Sequence, residues 1–161
     1  MQNLINYDYL LSLKNNSYLE FIPYNVDNKL IYDDLTISFS KNPHQLITYS
    51  IKLETAELSL VYSSDTGYKN NSLEEFARDT NLLICESTFL RGQIKKDDTH
   101  LYAYEAGKIA QIAQVNKLLL THFWPEIDKN LYLEEAKQEF NNTQVAEEGV
   151  KLILRRDKIE K

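Results

Sequence analysis

The chain predicts a mixed α/β domain, with a sheet that opens as antiparallel hairpins and continues as strand–helix alternation. Three observations predict it. Leu35 to Phe39 reads L-T-I-S-F, the two-residue period of a half-buried strand, with short apolar runs and turn residues on either side. From Gly67 onward, short apolar runs alternate with segments of helical period. Between them lies Leu58 to Gly67, L-S-L-V-Y-S-S-D-T-G, which flips abruptly from strand-forming residues to a polar turn. That flip sets the carboxylate of Asp65 where a strand ends, a position shared by ligand sites and by ordinary Asx turns.

Taken in order, residues 1–18 fit a short helix or a strand equally. Tyr18 to Pro23 and Val26 to Tyr32 read as strands, with Asn25 and Asp27 near the turn between them. Asp33-Asp34 makes the next turn, and Leu35 to Phe39 follows. Leu46 to Leu53 places Ile47, Tyr49, Ile51 and Leu53 on one face, and Glu54 to Glu57 turns into the Leu58 strand. After Gly67, Asn71-Ser72 can cap a helix over 73–78, with Glu74 and Glu75 in the first turn where the helix dipole favours them. Leu82 to Cys85 is a short strand. Leu101 to Gln114 is a helix with Ala103, Ala106, Ile109, Ala110 and Ala113 along one side. Lys117 to Leu120 is a buried strand, Leu131 to Phe140 a helix, and Thr143 to Ala146 and Val150 to Leu154 are closing strands around Gly149.

At 161 residues and 43% apolar content, the chain reads as one globular domain spanning 1–161. Its net charge of −6 argues against a generic polyanion-binding surface. The basic clusters, Lys95-Lys96 and Arg155, Arg156, Lys158, read as a solvated loop and a solvated tail. A single cysteine, Cys85, excludes an internal disulfide framework, fits a reducing compartment, and reads as a small buried apolar residue. No signal peptide and no apolar run near the ~20 residues of a membrane span is visible. A cytoplasmic protein without a membrane segment is the expectation.

Three strands of the second half end in a polar group: Asp65 after Tyr62, Glu86 after Cys85 and His122 after Leu120. The three histidines, His44, His100 and His122, all sit at element boundaries. Imidazoles and carboxylates at one edge of a covered sheet suit zinc or a similar divalent ion. Taken singly, each histidine reads equally as a surface or N-cap residue. The spacings of 21, 35 and 22 residues among His44, Asp65, His100 and His122 form no local motif.

Four segments in order carry a family resemblance: Y-S-S-D-T-G at 62–67, L-L-I-C-E-S-T-F at 82–89, H-L-Y-A-Y-E-A-G at 100–107 and L-L-L-T-H-F at 118–123. Over about residues 20–154 the chain resembles the C-terminal half of a metallo-β-lactamase-fold hydrolase, closest to ribonuclease Z and its small relatives. The resemblance implies half to most of an αββα sandwich. It implies that Asp65 bridges two metal ions, zinc or manganese, that His122 binds one and that His44, in N-P-H-Q, binds the other. It further implies that His100 lies near the scissile phosphate as a proton donor or phosphate contact, and that Glu86 orients His100.

The departures are as informative. The family's H-x-H-x-D-H motif is absent, and with it about half of the coordination sphere. Ser64 replaces the usual Gly before Asp65, Cys85 replaces the first residue of H-E-A-T, and the loop F-W-P-E-I-D after His122 is atypical. An isolated chain with so few ligands is expected to bind metal poorly. Half a sandwich also leaves an apolar sheet face open, so the expected partner is a second copy of the chain or a separate N-terminal half; a shortened reading frame would also fit.

The leading reading is therefore a metallohydrolase, a phosphodiesterase acting on RNA or another phosphate ester. The competing readings are a non-catalytic, dimerising module with a decayed site, and an unrelated α/β binding domain. Only twenty residues separate His44 from Asp65, too few for the insertions of a dedicated tRNA-processing enzyme. Trp124 reads as a pocket wall or a loop anchor, and Glu105 as solvated.

Overall fold

Strand register in the first half follows from the alternation of apolar and polar residues. The computed structural model describes residues 22, 24–69, 71–95, 98–155 and 158–160. Strands β1 (Leu30–Tyr32), β2 (Leu35–Lys41), β3 (Tyr49–Glu54) and β4 (Ser59–Tyr62) pair antiparallel in succession. From β4 the sheet continues in parallel through β5 (Leu82–Glu86), β6 (Leu118–Thr121) and β7 (Thr143–Val145). Strand order matches chain order, β1 to β7. The parallel crossovers carry helices α1 (Ser72–Phe76), α2 (Ala103–Ile112) and α3 (Lys129–Lys137). A separate two-stranded ladder joins β8 (Ile153–Arg155) to β9 (Lys158–Glu160).

The core lies between β4–β6 and the helices. Val61, Leu83, Cys85, Leu118 and Leu120 pack against Ala103, Ala106, Ile109 and Ala110 of α2, with Tyr132 and Ala136 of α3. Small residues let α2 and α3 approach closely: a Cβ at Gly107 would come 2.5 Å from the Ala136 carbonyl oxygen.

The opposite face is apolar across the sheet. One row runs Leu30, Ile37, Leu53, Leu60, Leu82, and the next Phe39, Ile51, Tyr62, Ile84, Leu119. On the helix side, β2 and β3 show Ser38, Ser40, Ser50 and Lys52 instead. Tyr24 stacks on Phe39 at 4.5 Å, and Val150 and Leu152 lie beside Leu119. Tyr62 remains 41% exposed, so this face is only partly covered. An apolar face of this extent marks a packing surface.

Several expected boundaries shift. The Tyr18–Pro23 strand lies outside the described residues, save for Ile22 and its neighbour Tyr24, neither of which is in a strand. The second strand shortens to β1. Leu46 and Ile47, expected in a strand, are 73% and 75% exposed in a loop, because pairing with β2 starts only at Tyr49. The closing strand 150–154 does not join the main sheet; its last residues pair with β9 instead. His100 does not open α2, which starts at Ala103 behind an N-cap at Tyr102. Nor is Glu105 solvated: it is buried, accepts from the Tyr102 N–H at 2.9 Å and pairs with Lys95 at 2.7 Å. Lys95, expected in a solvated loop, is drawn in by that pair and lies over the Tyr102 ring. Asp128 caps α3 by accepting from the Asn130 N–H at 2.9 Å.

Candidate functional site

The carboxyl ends of β4, β5 and β6 form one rim, where a parallel sheet delivers side chains to a site. The loop between β2 and β3 brings His44 to it. A buried amide ties these segments together. Asn42 Nδ2 donates to the carbonyls of Ser63 at 2.7 Å and Asp65 at 3.0 Å, while its Oδ1 accepts from the Ser50 N–H and hydroxyl. Thr48 donates to the Asp65 carbonyl at 2.9 Å. Gly67 closes the stack: its N–H donates to Pro43 O at 2.9 Å, and a Cβ there would overlap the Asp98 carbonyl oxygen. The loops bearing His44, Asp65 and His100 therefore meet at Gly67.

Two rim residues hold left-handed backbone that favours glycine: Ser64 at φ 55° and His122 at φ 62°. Ser64 stands directly before Asp65, and His122 directly after β6.

Glu86, at the end of β5, is the hub, and it is 1% exposed. Its Oε1 accepts from the Thr66 N–H at 3.0 Å and faces His100 Nδ1 at 2.8 Å. Its Oε2 accepts from the N–H groups of Thr88 at 3.3 Å and Leu101 at 3.1 Å, and from the Thr88 hydroxyl at 2.9 Å. Because a carboxylate only accepts, His100 carries its proton on Nδ1, and Nε2 is the nitrogen left for the cleft. Five donors saturate Glu86, so its oxygens do not serve as metal ligands.

The sequence-derived site residues converge. The His100 ring lies 5.3 Å from those of both His44 and His122. His122 Nδ1 is 3.7 Å from Asp65 Oδ1 and 3.0 Å from Thr88 Oγ1. Ligand atoms of His44, Asp65 and His100 fall within 4.8 Å of one another, as do those of Glu86, His100 and His122. With Glu86 spent, the donors that fit a divalent cation are three imidazoles and the Asp65 carboxylate, a nitrogen–oxygen set suited to zinc or manganese. His44 Nδ1 lies 3.2 Å from the Leu46 N–H and 3.4 Å from its carbonyl, which satisfies either tautomer.

Two clefts flank His100. One is lined by Phe89, Thr99, Ile94, Trp124, His44 and Leu46, the other by Asp65, Thr88, His122, Phe123, Trp124 and Pro125. Trp124 thus walls both and is no buried anchor. No Lys or Arg is among the described lining residues. Burial first, and then the nearby carboxylates of Asp65 and Glu86, push the Tyr62 phenol up. Burial, and then Glu86, also raises the Cys85 thiol, which is inert packing.

Sequence reasoning missed Asn42, Thr48 and Thr88, and read Gly67 only as a turn residue. Thr88 stood in plain view in the C-E-S-T segment; the other three donate to main-chain carbonyls of distant segments, which leaves no pattern to read.

A family model described as the beta-lactamase superfamily domain matches residues 17–123. The chain is 34% identical over 122 residues to the probable metallo-hydrolase YhfI of Bacillus subtilis (strain 168), covering 74% of this chain and 49% of that one. It is 34% identical over 121 residues to a ribonuclease Z of Clostridium acetobutylicum, covering 66% and 39%. The crystal structure of the metallo-beta-lactamase fold protein YhfI superposes with a TM-score of 0.75 at 28% identity, over 86% of this chain and 60% of that one. The chain spans about half or less of the length of these curated relatives.

Proposed function

The chain belongs to the beta-lactamase superfamily, and from that membership we propose that it carries the chemistry of a metal-dependent hydrolase cleaving phosphate esters, akin to ribonuclease Z. What supports this reading is the convergence of His44, Asp65 and His122 on His100, itself held by a buried carboxylate. In this proposal Asp65, His44 and His122 hold zinc or manganese, two ions when the ligand set is complete. Such ions act as Lewis acids and bring the pKa of bound water near neutrality. His100 presents Nε2 to the substrate and, when protonated there, gives its proton to the leaving oxygen. Glu86 keeps that ring aimed through its 2.8 Å contact with Nδ1.

The substrate is a small phosphate ester in preference to a structured RNA. The clefts offer aromatic walls and no cationic side chain among the described residues, and the net charge is −6. The remaining ligands come from a partner seated on the apolar sheet face, either a second sheet like that of the longer relatives or a second copy. Among the described residues no helix is long and apolar enough to cross a membrane; the buried thiol of Cys85 suits a reducing, cytoplasmic setting.

The test is metal analysis and light scattering of the chain alone and mixed with the part of the Bacillus subtilis relative that it does not span. Stoichiometric metal and phosphodiester hydrolysis in the mixture, both lost in Asp65→Ala, support the proposal. A metal-free homodimer that stays inactive in the mixture supports the alternative, a dimerising module with a decayed site.

A further inference from the structure

We propose that Thr88 is a positioning residue that fixes the tautomer of His122, so that a single buried carboxylate governs both imidazoles on the rim. The proton order follows from elementary hydrogen bonding. Thr88 Oγ1 has one proton and two close neighbours, Glu86 Oε2 at 2.9 Å and His122 Nδ1 at 3.0 Å. If the hydroxyl donated to His122, two lone pairs would face each other across the contact with Glu86, whose carboxylate has no proton to give. The hydroxyl therefore donates to Glu86. Its oxygen accepts from His122, which must carry its proton on Nδ1. A chain of this kind, imidazole to hydroxyl to carboxylate, strengthens each member in turn.

The surroundings hold Thr88 for this task. It is 6% exposed, and its own N–H also reaches Glu86 Oε2 at 3.3 Å. Its carbonyl accepts from the Tyr132 hydroxyl at 3.4 Å. The rotamer that serves Glu86 is thus the one that faces His122. The consequence is symmetrical. Glu86 holds His100 directly through Oε1 and His122 through Thr88 on Oε2. Both rings keep the Nε2 lone pair for the cleft, and that is the form of histidine able to bind a cation or accept a proton. His44 has no such arm and rests on its own loop.

The value of the arrangement to catalysis rests on the hydrolase reading, but the tautomer does not. Its test uses the metal-free chain with 15N-labelled histidine. Long-range 1H–15N spectra are recorded at about pH 8.5, some two units above the ordinary imidazole value. Wild type is expected to show both His100 and His122 protonated on Nδ1. Thr88→Val, which keeps the shape and removes the hydroxyl, is expected to shift His122 toward the Nε2–H form while leaving His100 unchanged. Thr88→Ser restores the hydroxyl and the wild-type spectrum of His122. A wild-type His122 protonated on Nε2 overturns the proposal without any variant having to fold. So does a Thr88→Val protein whose His122 remains on Nδ1. Loss of metal-dependent hydrolysis in the reconstituted protein, with these spectra as expected, would instead count against the hydrolase reading alone.

Discussion

Replacing Glu86 by Gln changes one atom of the hub and sets a sharp test of how the rim is held. The carboxylate accepts five donors, two on Oε1 and three on Oε2. An amide can accept on one side only. With its NH2 at the Oε2 position it would oppose the backbone N–H groups of both Thr88 and Leu101, which cannot turn away. With its NH2 at the Oε1 position it opposes the Thr66 N–H, while His100 can respond by moving its proton from Nδ1 to Nε2. The second orientation is the cheaper. It leaves one buried N–H without an acceptor, at about 1–3 kcal/mol, and turns the remaining charge-assisted bonds into neutral ones, at about 1 kcal/mol more. The expected loss is therefore about 2–4 kcal/mol, read by urea denaturation. At about 2–4 °C per kcal/mol for a chain of this size, Tm falls by roughly 4–16 °C. The same variant should switch His100 to Nε2–H and leave His122 on Nδ1, because the Oε2 side is untouched. A stability change below about 0.5 kcal/mol, or a His100 tautomer that does not move, would refute the reasoning.

Gly67→Ala should destabilise by about 1–3 kcal/mol by overpacking against the Asp98 backbone, with amide shifts concentrated at 98–101; an unchanged denaturation midpoint would exclude the close stacking of the three loops. Ser64→Gly should stabilise by about 0.5–1 kcal/mol, seen as a higher Tm, because it relieves a left-handed backbone at φ 55°; a fall in Tm would mean that the Ser64 side chain matters more than its strain. Stability should decline on the alkaline side. The thiol of Cys85 and the phenols of Tyr62, Tyr68, Tyr104 and Tyr132 are all held above their ordinary values of 9.0 and 10.0, by burial first. The unfolded chain releases these protons where the folded chain keeps them, so stability is unaffected below pH 9 and is lost as pH rises through 9 and then 10. A Tm that stays flat across that window contradicts the burial of these groups.

The sheet was readable where burial is one-sided or complete. Alternation in Leu35–Phe39 and the apolar runs of Leu82–Cys85 and Lys117–Leu120 mark their strands to within a residue or two. It was not readable where exposure contradicts residue type. Leu46 and Ile47 continue the pattern of Tyr49–Leu53, yet they point into solvent, since only Tyr49 onward finds a partner in β2. The site was legible as residue types at element ends and through the family resemblance, because polar groups ending apolar runs are rare enough to notice. What binds those residues together was hidden. Asn42, Thr48 and Gly67 act on main-chain carbonyls contributed by segments distant in the chain, and no periodicity records such pairings. Glu105 deceived for a related reason: its charge suggests water, but its place three residues into α2 lets it close the helix start and draw in Lys95.

Two imidazoles rooted in one carboxylate move as the tines of a fork. Motion of the segment after β5 or of the turn into α2 carries His100 and His122 together, and their separation changes little while Glu86 stays seated. His44 is mounted differently, on the β2–β3 loop, which is tied back through Asn42, Pro43 and Thr48 and not through Glu86. Any widening of the rim to admit a cargo must therefore come from the His44 side, with the fork as the fixed jaw. Relaxation experiments on the three ring nitrogens would register this as exchange broadening at His44 alone.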